Sequence, residues 1–206
     1  MNLVFATNNM HKLEEVSNIL PSTCHILSLR DIGFGQDIEE TGRTLEDNSL
    51  LKARTVWDWL LNHPQQIPID GVFADDTGLE IAALDNQPGV RTARWAGEEH
   101  DDAANRRKAL RLLKNKQDRS ARFRTVITLI TAKDNTGVEH QPLAAQVEGR
   151  VEGRMAEEER GEGGFGYDSL FIPDGYDKTF AQLPAETKNS ISHRARAVQQ
   201  LKLLLH

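Results

Sequence analysis

Val72-Phe73-Ala74-Asp75-Asp76-Thr77-Gly78-Leu79-Glu80-Ile81 is the stretch on which the architecture turns. An apolar run enters two adjacent carboxylates, a hydroxyl and a glycine follow, and a second strand-like run leaves. The first run predicts a buried strand, and Gly78 predicts a turn before another strand over residues 79–84. Consecutive residues of extended chain point to opposite sides, so Asp75 and Asp76 need not share one task. Carboxylate oxygens here suit a hard cation such as Mg²⁺, which keeps several waters and takes one or two carboxylates plus substrate phosphates. Asp, Thr and Gly are also ordinary turn formers, so this stretch alone leaves both readings open.

Upstream, residues 3–6 read as a buried first strand running into the polar loop Thr7-Asn8-Asn9-Met10-His11-Lys12. Leu13, Val16, Ile19 and Leu20 then recur at helical spacing. A strand, a short polar loop and a helix place backbone N–H groups and Lys12 near a helix N-terminus, a ready anion site. Thr7 and Asn9 serve equally well as helix caps. The loop lacks the glycines and the Gly-Lys-Ser/Thr ending of a Walker-type loop. Residues 26–29 read as a second strand, and a loop over 33–42 carries Glu39 and Glu40. Thr44 with Asp47 resembles a capping box that opens an amphipathic helix through Leu45, Ala53, Val56, Trp57 and Leu60. Residues 62–70, with Pro64 and Pro68, form a connection.

Downstream, Pro88-Gly89 and Ala93-Arg94 lie in an irregular basic stretch, and the acidic run 98–102 precedes a helix over about 103–113. That acidic run reads as compensation of the helix dipole. Residues 123–132 and 143–151 predict two strands joined through a turn at 134–137. In Gly161-Glu162-Gly163-Gly164-Phe165-Gly166-Tyr167-Asp168, glycines let backbone approach a flat ligand, and an exposed Phe165 could stack on a nucleobase. A glycine-rich hairpin with Phe165 in the core is the competing reading. Ser192 predicts the cap of a last helix, with His193 and Arg194 in its first turn, where cations oppose the dipole.

The bulk numbers narrow the function classes. The 206 residues allow one substantial domain or two small lobes, and 38% hydrophobic with 27% charged residues is an ordinary globular composition. A formal net charge of −6 argues against nucleic-acid or anionic-membrane partners. A single cysteine, Cys24, gives no internal disulfide, and no stretch has transmembrane length. These features predict a cytoplasmic protein.

Taken together, six stretches in register make the chain resemble the inosine triphosphate pyrophosphatase family, house-cleaning enzymes acting on non-standard purine nucleoside triphosphates. They are Thr7-Asn8-Asn9 with Lys12, Glu39-Glu40-Thr41-Gly42, Ala74–Leu79, Pro88-Gly89 with Ala93-Arg94, Gly163–Asp168, and Lys188 with Ile191-Ser192-His193-Arg194. The resemblance implies one α/β domain over 1–206, elongated and two-lobed, with a bent mixed central β-sheet flanked by helices and a cleft between the lobes. It also implies a homodimer, Mg²⁺ as cofactor, and cleavage of ITP, dITP or XTP to monophosphate and pyrophosphate. Carried over, Thr7, Asn8, Asn9, Met10, His11 and Lys12 contact the triphosphate. Asp76 is the general base and a metal ligand, Glu40 and Asp75 help hold the metal, and Thr77 touches substrate. Phe165, Gly166, Tyr167 and Asp168 hold base and ribose, while Lys188, His193 and Arg194 read the base. The sequence departs from the family pattern at Asn8, at Arg91 and in a longer segment over 58–70.

A donor such as Lys188, His193 or Arg194 would pair with the C6 oxygen of hypoxanthine or xanthine and oppose adenine's amino group. Rejecting guanine requires a further element at C2. Asp75-Asp76-Thr77 has the wrong spacing for the Asp-x-Asp-x-Thr of a haloacid-dehalogenase-type phosphatase. A pyrophosphatase for other modified nucleotides and a non-catalytic nucleotide-binding module are the remaining alternatives.

Overall fold

The computed structural model of the chain describes residues 1–97, 100–133 and 139–205; Glu98, Glu99 and the expected turn at 134–137 lie outside the described residues. The chain opens with β1 (Asn2–Phe5), α1 (Met10–Ile19), β2 (His25–Leu27) and α2 (Leu45–Leu61). Then come β3 (Gly71–Ile81), β4 (Gln87–Gly89), α3 (Asp102–Leu113), β5 (Ser120–Lys133) and β6 (Glu139–Met155). It closes with β7 (Phe171–Pro173), α4 (Ala185–Ile191) and α5 (His193–Leu204). Among the described residues the strands form one sheet in the order β2-β1-β3-β5-β6-β7, with β4 also paired to β3. β1 runs parallel to β2 and β3, whereas β3–β4 and β6–β7 are antiparallel, so the α/β fold carries a mixed sheet.

The predicted turn at Gly78 does not form. β3 passes straight through Asp75, Asp76, Thr77 and Gly78, and only residues 82–84 leave it, as a 3-10 turn rather than more strand. The cause is non-local. β3 pairs with β1 through Gly71–Phe73 and with β4 through Leu79–Ile81, and β5 flanks it. Satisfying that many backbone groups in a buried strand outweighs the turn preference of four residues. β7 and α4 are further elements that the sequence pattern did not reveal.

The chain divides into two compact units, Met1–Asp76 with Thr125–Gly149 and Arg194–His206, and Thr77–Arg124 with Arg150–His193. In the first unit the strands bury both faces. Val4, Ala6, Val72 and Ala74 pack with Ala53 and Val56 of α2. The alternate residues Leu3, Phe5 and Phe73 pack with Val16 of α1 and Ala197, Val198 and Leu201 of α5. Phe5 and Phe73 stack at 4.5 Å, and each buried ring contributes roughly 2–3 kcal/mol. This alternation fixes the register and, with it, what the next two residues of β3 face. The second unit has its own core, in which Leu79, Ile81, Phe123, Phe171 and Phe180 meet Ala109 and Leu113 of α3. No helix among the described residues is long and apolar enough to cross a membrane.

Candidate functional site

Continuing the alternation of β3, Asp75 follows Phe73 onto the α1 and α5 side, and Asp76 follows Ala74 onto the α2 side. Asp75 is 1% exposed; its Oδ1 accepts from Lys12 Nζ at 2.9 Å and its Oδ2 from Arg194 Nε at 3.1 Å. Arg194 also donates to Glu15, one turn beyond Lys12 on α1. Cations and carboxylates therefore alternate along Lys12, Asp75, Arg194 and Glu15. On the other side, Asp76 accepts from Lys52 Nζ at 3.2 Å and from Asn48 Nδ2 at 3.2 Å, both from α2. Lys52 Nζ also reaches Glu40 Oε1 at 2.7 Å. The Glu39–Gly42 loop is tied down where Gly42 N–H donates to Asn48 Oδ1 at 2.8 Å.

These surroundings set the titration of each group. Burial alone would raise the Asp75 carboxyl, but Lys12 and Arg194 outweigh it and hold it well below the usual carboxylate range. Burial raises Asp76, helped by the like charges of Glu40 and Asp75, and Lys52 and Lys12 do not fully offset it. Burial lowers Lys12 against the pull of Asp75. Lys52 is raised, because Asp76 and Glu40 overcome its own burial. Neighbouring carboxylates thus differ in kind: Asp75 is a fixed anion, and Asp76 has an increased proton affinity.

The Thr7–Lys12 loop forms the predicted cap. Asn9 is the N-cap of α1, accepting from Lys12 N–H at 3.2 Å, and Thr7 Oγ1 accepts from Asn9 N–H at 3.1 Å. The first turn of α1 contains no acidic residue, so no side chain of that turn neutralises the positive helix end. Met10 is 69% exposed and His11 is exposed, so both stand at the surface of this loop.

A second constellation lies in the second unit. The Gly161–Asp168 stretch is not a hairpin: it is irregular, Phe165 is half-buried rather than in the core, and Tyr167 is its core residue. Asp168 Oδ2 accepts from Phe165 N–H at 2.9 Å and from Lys188 Nζ at 2.7 Å, and that ammonium lies 5.0 Å from the centroid of the Phe165 ring. Gly164 has φ +75°, and a Cβ there would stand 2.1 Å from Asp168 Oδ2, so only glycine admits this fold of the loop. Tyr167 is buried and donates to the Thr92 carbonyl at 3.1 Å. His193 stacks on Phe123 at 4.6 Å, beside Phe171 and Phe180.

The predicted site residues therefore form two groups. Lys12, Asp75 and Arg194 are brought together, as are Glu40 and Asp76 through Lys52, and Lys188 joins Phe165 and Asp168. Arg194, expected beside Lys188 and His193, is bonded instead to Asp75 and Glu15. Thr77 is simply the next residue of β3. The sequence reading missed Asn48, Lys52 and Glu15. Asn48, Ser49 and Lys52 are buried on the same α2 face as Leu45, Ala53 and Val56. Three polar residues at i, i+1 and i+4 on an apolar face were the available signal. Among the described residues no three His, Cys, Asp or Glu side chains are gathered as around a metal ion. Glu40 and Asp76, which already share one cation, are oxygen donors that fit a hard ion; Asp75 is held by Lys12 and Arg194.

A mixed-sheet α/β protein with a buried ionic cluster on a central strand is the class these features define. The chain belongs to the Ham1 family, whose sequence profile matches residues 3–204. It is 49% identical to the dITP/XTP pyrophosphatase of Porphyromonas gingivalis, over 97% of this chain and 95% of that protein. It is 45% identical to the protein of the same name from Flavobacterium johnsoniae, over 100% of this chain and 98% of the relative. The structure of the Staphylococcus aureus Ham1 protein superposes with a TM-score of 0.82 at 36% identity, covering 100% of this chain and 98% of that one.

Proposed function

We propose that the chain is a nucleoside triphosphate pyrophosphatase that hydrolyses ITP, dITP and XTP to monophosphate and pyrophosphate, keeping them out of DNA and RNA. The observation that carries this reading is the set of cations, Lys12, Lys52 and Arg194, converging on the consecutive carboxylates Asp75 and Asp76 of one strand. Full-length similarity to relatives named for this activity supports it.

In this reading Lys12 and the N–H groups at the start of α1 take phosphate oxygens, with Thr7, Asn8, Asn9, Met10 and His11 lining the approach. Asp76, whose proton affinity burial increases, orients the attacking water and accepts its proton. Water attacks the phosphorus nearest the nucleoside, and the bond to the pyrophosphate oxygen breaks. Asp75 stays charged and holds Lys12 and Arg194 in place. Mg²⁺ held by Asp76 and Glu40 would neutralise phosphate charge and stabilise the leaving pyrophosphate. Thr77 touches substrate, Phe165 supplies a stacking face, and Asp168 and Tyr167 border the ribose and base. Lys188 supplies a donor for a C6 oxygen, with His193 completing base selection, while Arg194 stays in the ion chain around Asp75. The same reading takes the protein to be a single-domain cytoplasmic enzyme working as a homodimer.

The test is pyrophosphate release from inosine, xanthosine, adenosine, guanosine and cytidine triphosphates, with Mg²⁺ and with chelator, for wild type and Asp76→Asn. Metal-dependent turnover favouring the first two and lost in the variant is expected. Turnover of another nucleotide class would replace the substrate assignment, and tight binding without pyrophosphate would make the protein a binding module.

A further inference from the structure

The Phe165 loop is held from outside by a helix that none of the preceding roles involve. α3 begins at Asp102, and its first turn and a half bonds both ends of one residue: Gly166 N–H donates to Asp102 Oδ2 at 2.9 Å, and Arg106 Nη1 donates to the Gly166 carbonyl at 2.9 Å. Asp102 and Arg106 are one helical turn apart, so their side chains stand on one face. Arg106 is itself oriented, because its Nε donates to Glu159 Oε2 at 2.8 Å, an oxygen that also accepts from Ser169 Oγ at 3.3 Å. The clasped residue is conformationally special. Gly166 has φ +60°, and a Cβ there would meet nothing within 4 Å, so backbone conformation and not crowding selects glycine. It directly follows Phe165, whose ring lies under Lys188. The same helix fixes a second segment: Asn105 Oδ1 accepts from Ala96 N–H at 2.7 Å, and its Nδ2 donates to the Ala93 carbonyl at 2.9 Å. Tyr167, next to Gly166, reaches Thr92 at the edge of that segment.

We infer that Asp102 and Arg106 are positioning residues for the nucleobase: by bonding the N–H and the carbonyl of Gly166, in the peptide units on either side of its Cα, they set the place of the Phe165 ring. This rests on the function proposed above. A carboxylate at a helix start has a plainer role as dipole compensation, but that role needs only a charge, whereas the clasp needs an acceptor on Gly166 N–H. Free glycine backbone samples many conformations, so an unclasped loop would spend part of its time away from the stacking geometry and binding of the base would weaken accordingly.

The experiment is steady-state hydrolysis of ITP by the full chain in wild type, Asp102→Ala, Asp102→Asn and Arg106→Leu, with competitive inhibition by inorganic tripolyphosphate measured on each. Loss of one such hydrogen bond, exposed at Asp102 and part-buried at Arg106, corresponds to about a five- to tenfold rise in KM. We expect that rise in Asp102→Ala and in Arg106→Leu, with kcat changed less than about twofold and tripolyphosphate inhibition unchanged. Asp102→Asn, which retains an acceptor oxygen while losing the charge, should stay near wild type. Unchanged KM in both truncating variants would overturn the inference, as would KM and tripolyphosphate inhibition weakening together, the mark of general loosening. Equal defects in Asp102→Asn and Asp102→Ala would return Asp102 to dipole compensation. If Arg106→Leu does not fold, the Asp102 pair decides alone. Wild type without ITP turnover would instead remove the proposed function, and the positioning role with it.

Discussion

Replacing Lys52 by methionine removes the cation between Glu40 and Asp76 while nearly preserving side-chain length. The ammonium lies 2.7 Å from Glu40 and 3.2 Å from Asp76, and the three side chains are 10%, 24% and 9% exposed. At an effective dielectric of about 20 each contact represents roughly 5–6 kcal/mol of gross attraction, most of it cancelled by the desolvation of the ions. The relevant quantity is the cost of leaving the partners behind. Removing one member of a buried ion pair costs about 3–5 kcal/mol. Glu40 can turn toward water and Asp76 can take up a proton, which places the cost at the lower end, about 3 kcal/mol. For a chain of this size that corresponds to a fall in Tm of about 6–12 °C. Calorimetric unfolding in chelator, near neutral pH, measures it.

Two further results make that prediction specific. Lys52→Arg keeps the charge and should lose less than Lys52→Met, its bulkier guanidinium costing some packing. Saturating Mg²⁺ should restore part of the stability lost in Lys52→Met, because a divalent ion bound by Asp76 and Glu40 replaces the missing cation and stabilises only the folded state. A Tm within about 2 °C of wild type for Lys52→Met would refute the electrostatic reasoning, being under 1 kcal/mol on the same scale. No response to Mg²⁺ alongside a large loss would retain the electrostatics and remove Glu40 and Asp76 as its ligands.

Other perturbations test the remaining parts. Burial raises the pKa of Asp76 in the metal-free protein, so protonation of that carboxyl, followed in chelator through the infrared carboxyl band that Asp76→Asn removes, should have its midpoint above the ordinary carboxylate range; a midpoint at or below that range would refute the burial argument. Gly164→Ala forces both a left-handed alanine and a Cβ 2.1 Å from Asp168 Oδ2, so KM for ITP should rise about tenfold or more, the equivalent of about 1.4 kcal/mol, and an unchanged KM would show that the loop tolerates the shift. Burial pushes the Tyr167 hydroxyl up, so the unfolded chain ionises first as pH rises through about 10 and stability falls from there until the folded-state value is reached; chemical denaturation across that range should show a drop that Tyr167→Phe diminishes. Asp75→Asn leaves Lys12 and Arg194 facing a neutral amide, and it should destabilise by about 3 kcal/mol in urea unfolding, whereas a loss below about 1 kcal/mol would show that the ion chain is not structurally important.

What could be read from the sequence follows from where each signal resides. The β1–α1 and α2 boundaries came from local rules, and Asn9 and Thr44 cap as their residue types dictate. The path of β3 could not be read locally, since Asp, Thr and Gly favour a turn and only pairing with β1, β4 and β5 keeps them extended. Alternation along a strand did suggest that Asp75 and Asp76 separate, but the identity of the groups on each side depended on which helices cover which face. α1 and α5 bring Lys12, Glu15 and Arg194 to Asp75, and α2 brings Asn48 and Lys52 to Asp76. Arg194 shows the limit most clearly. Its neighbour His193 enters an aromatic core, whereas Arg194, one residue on, enters the ion cluster around Asp75. Successive residues of a helix start about 100° apart, so adjacency in sequence predicts divergence in role, and a motif read as one unit divides between two environments.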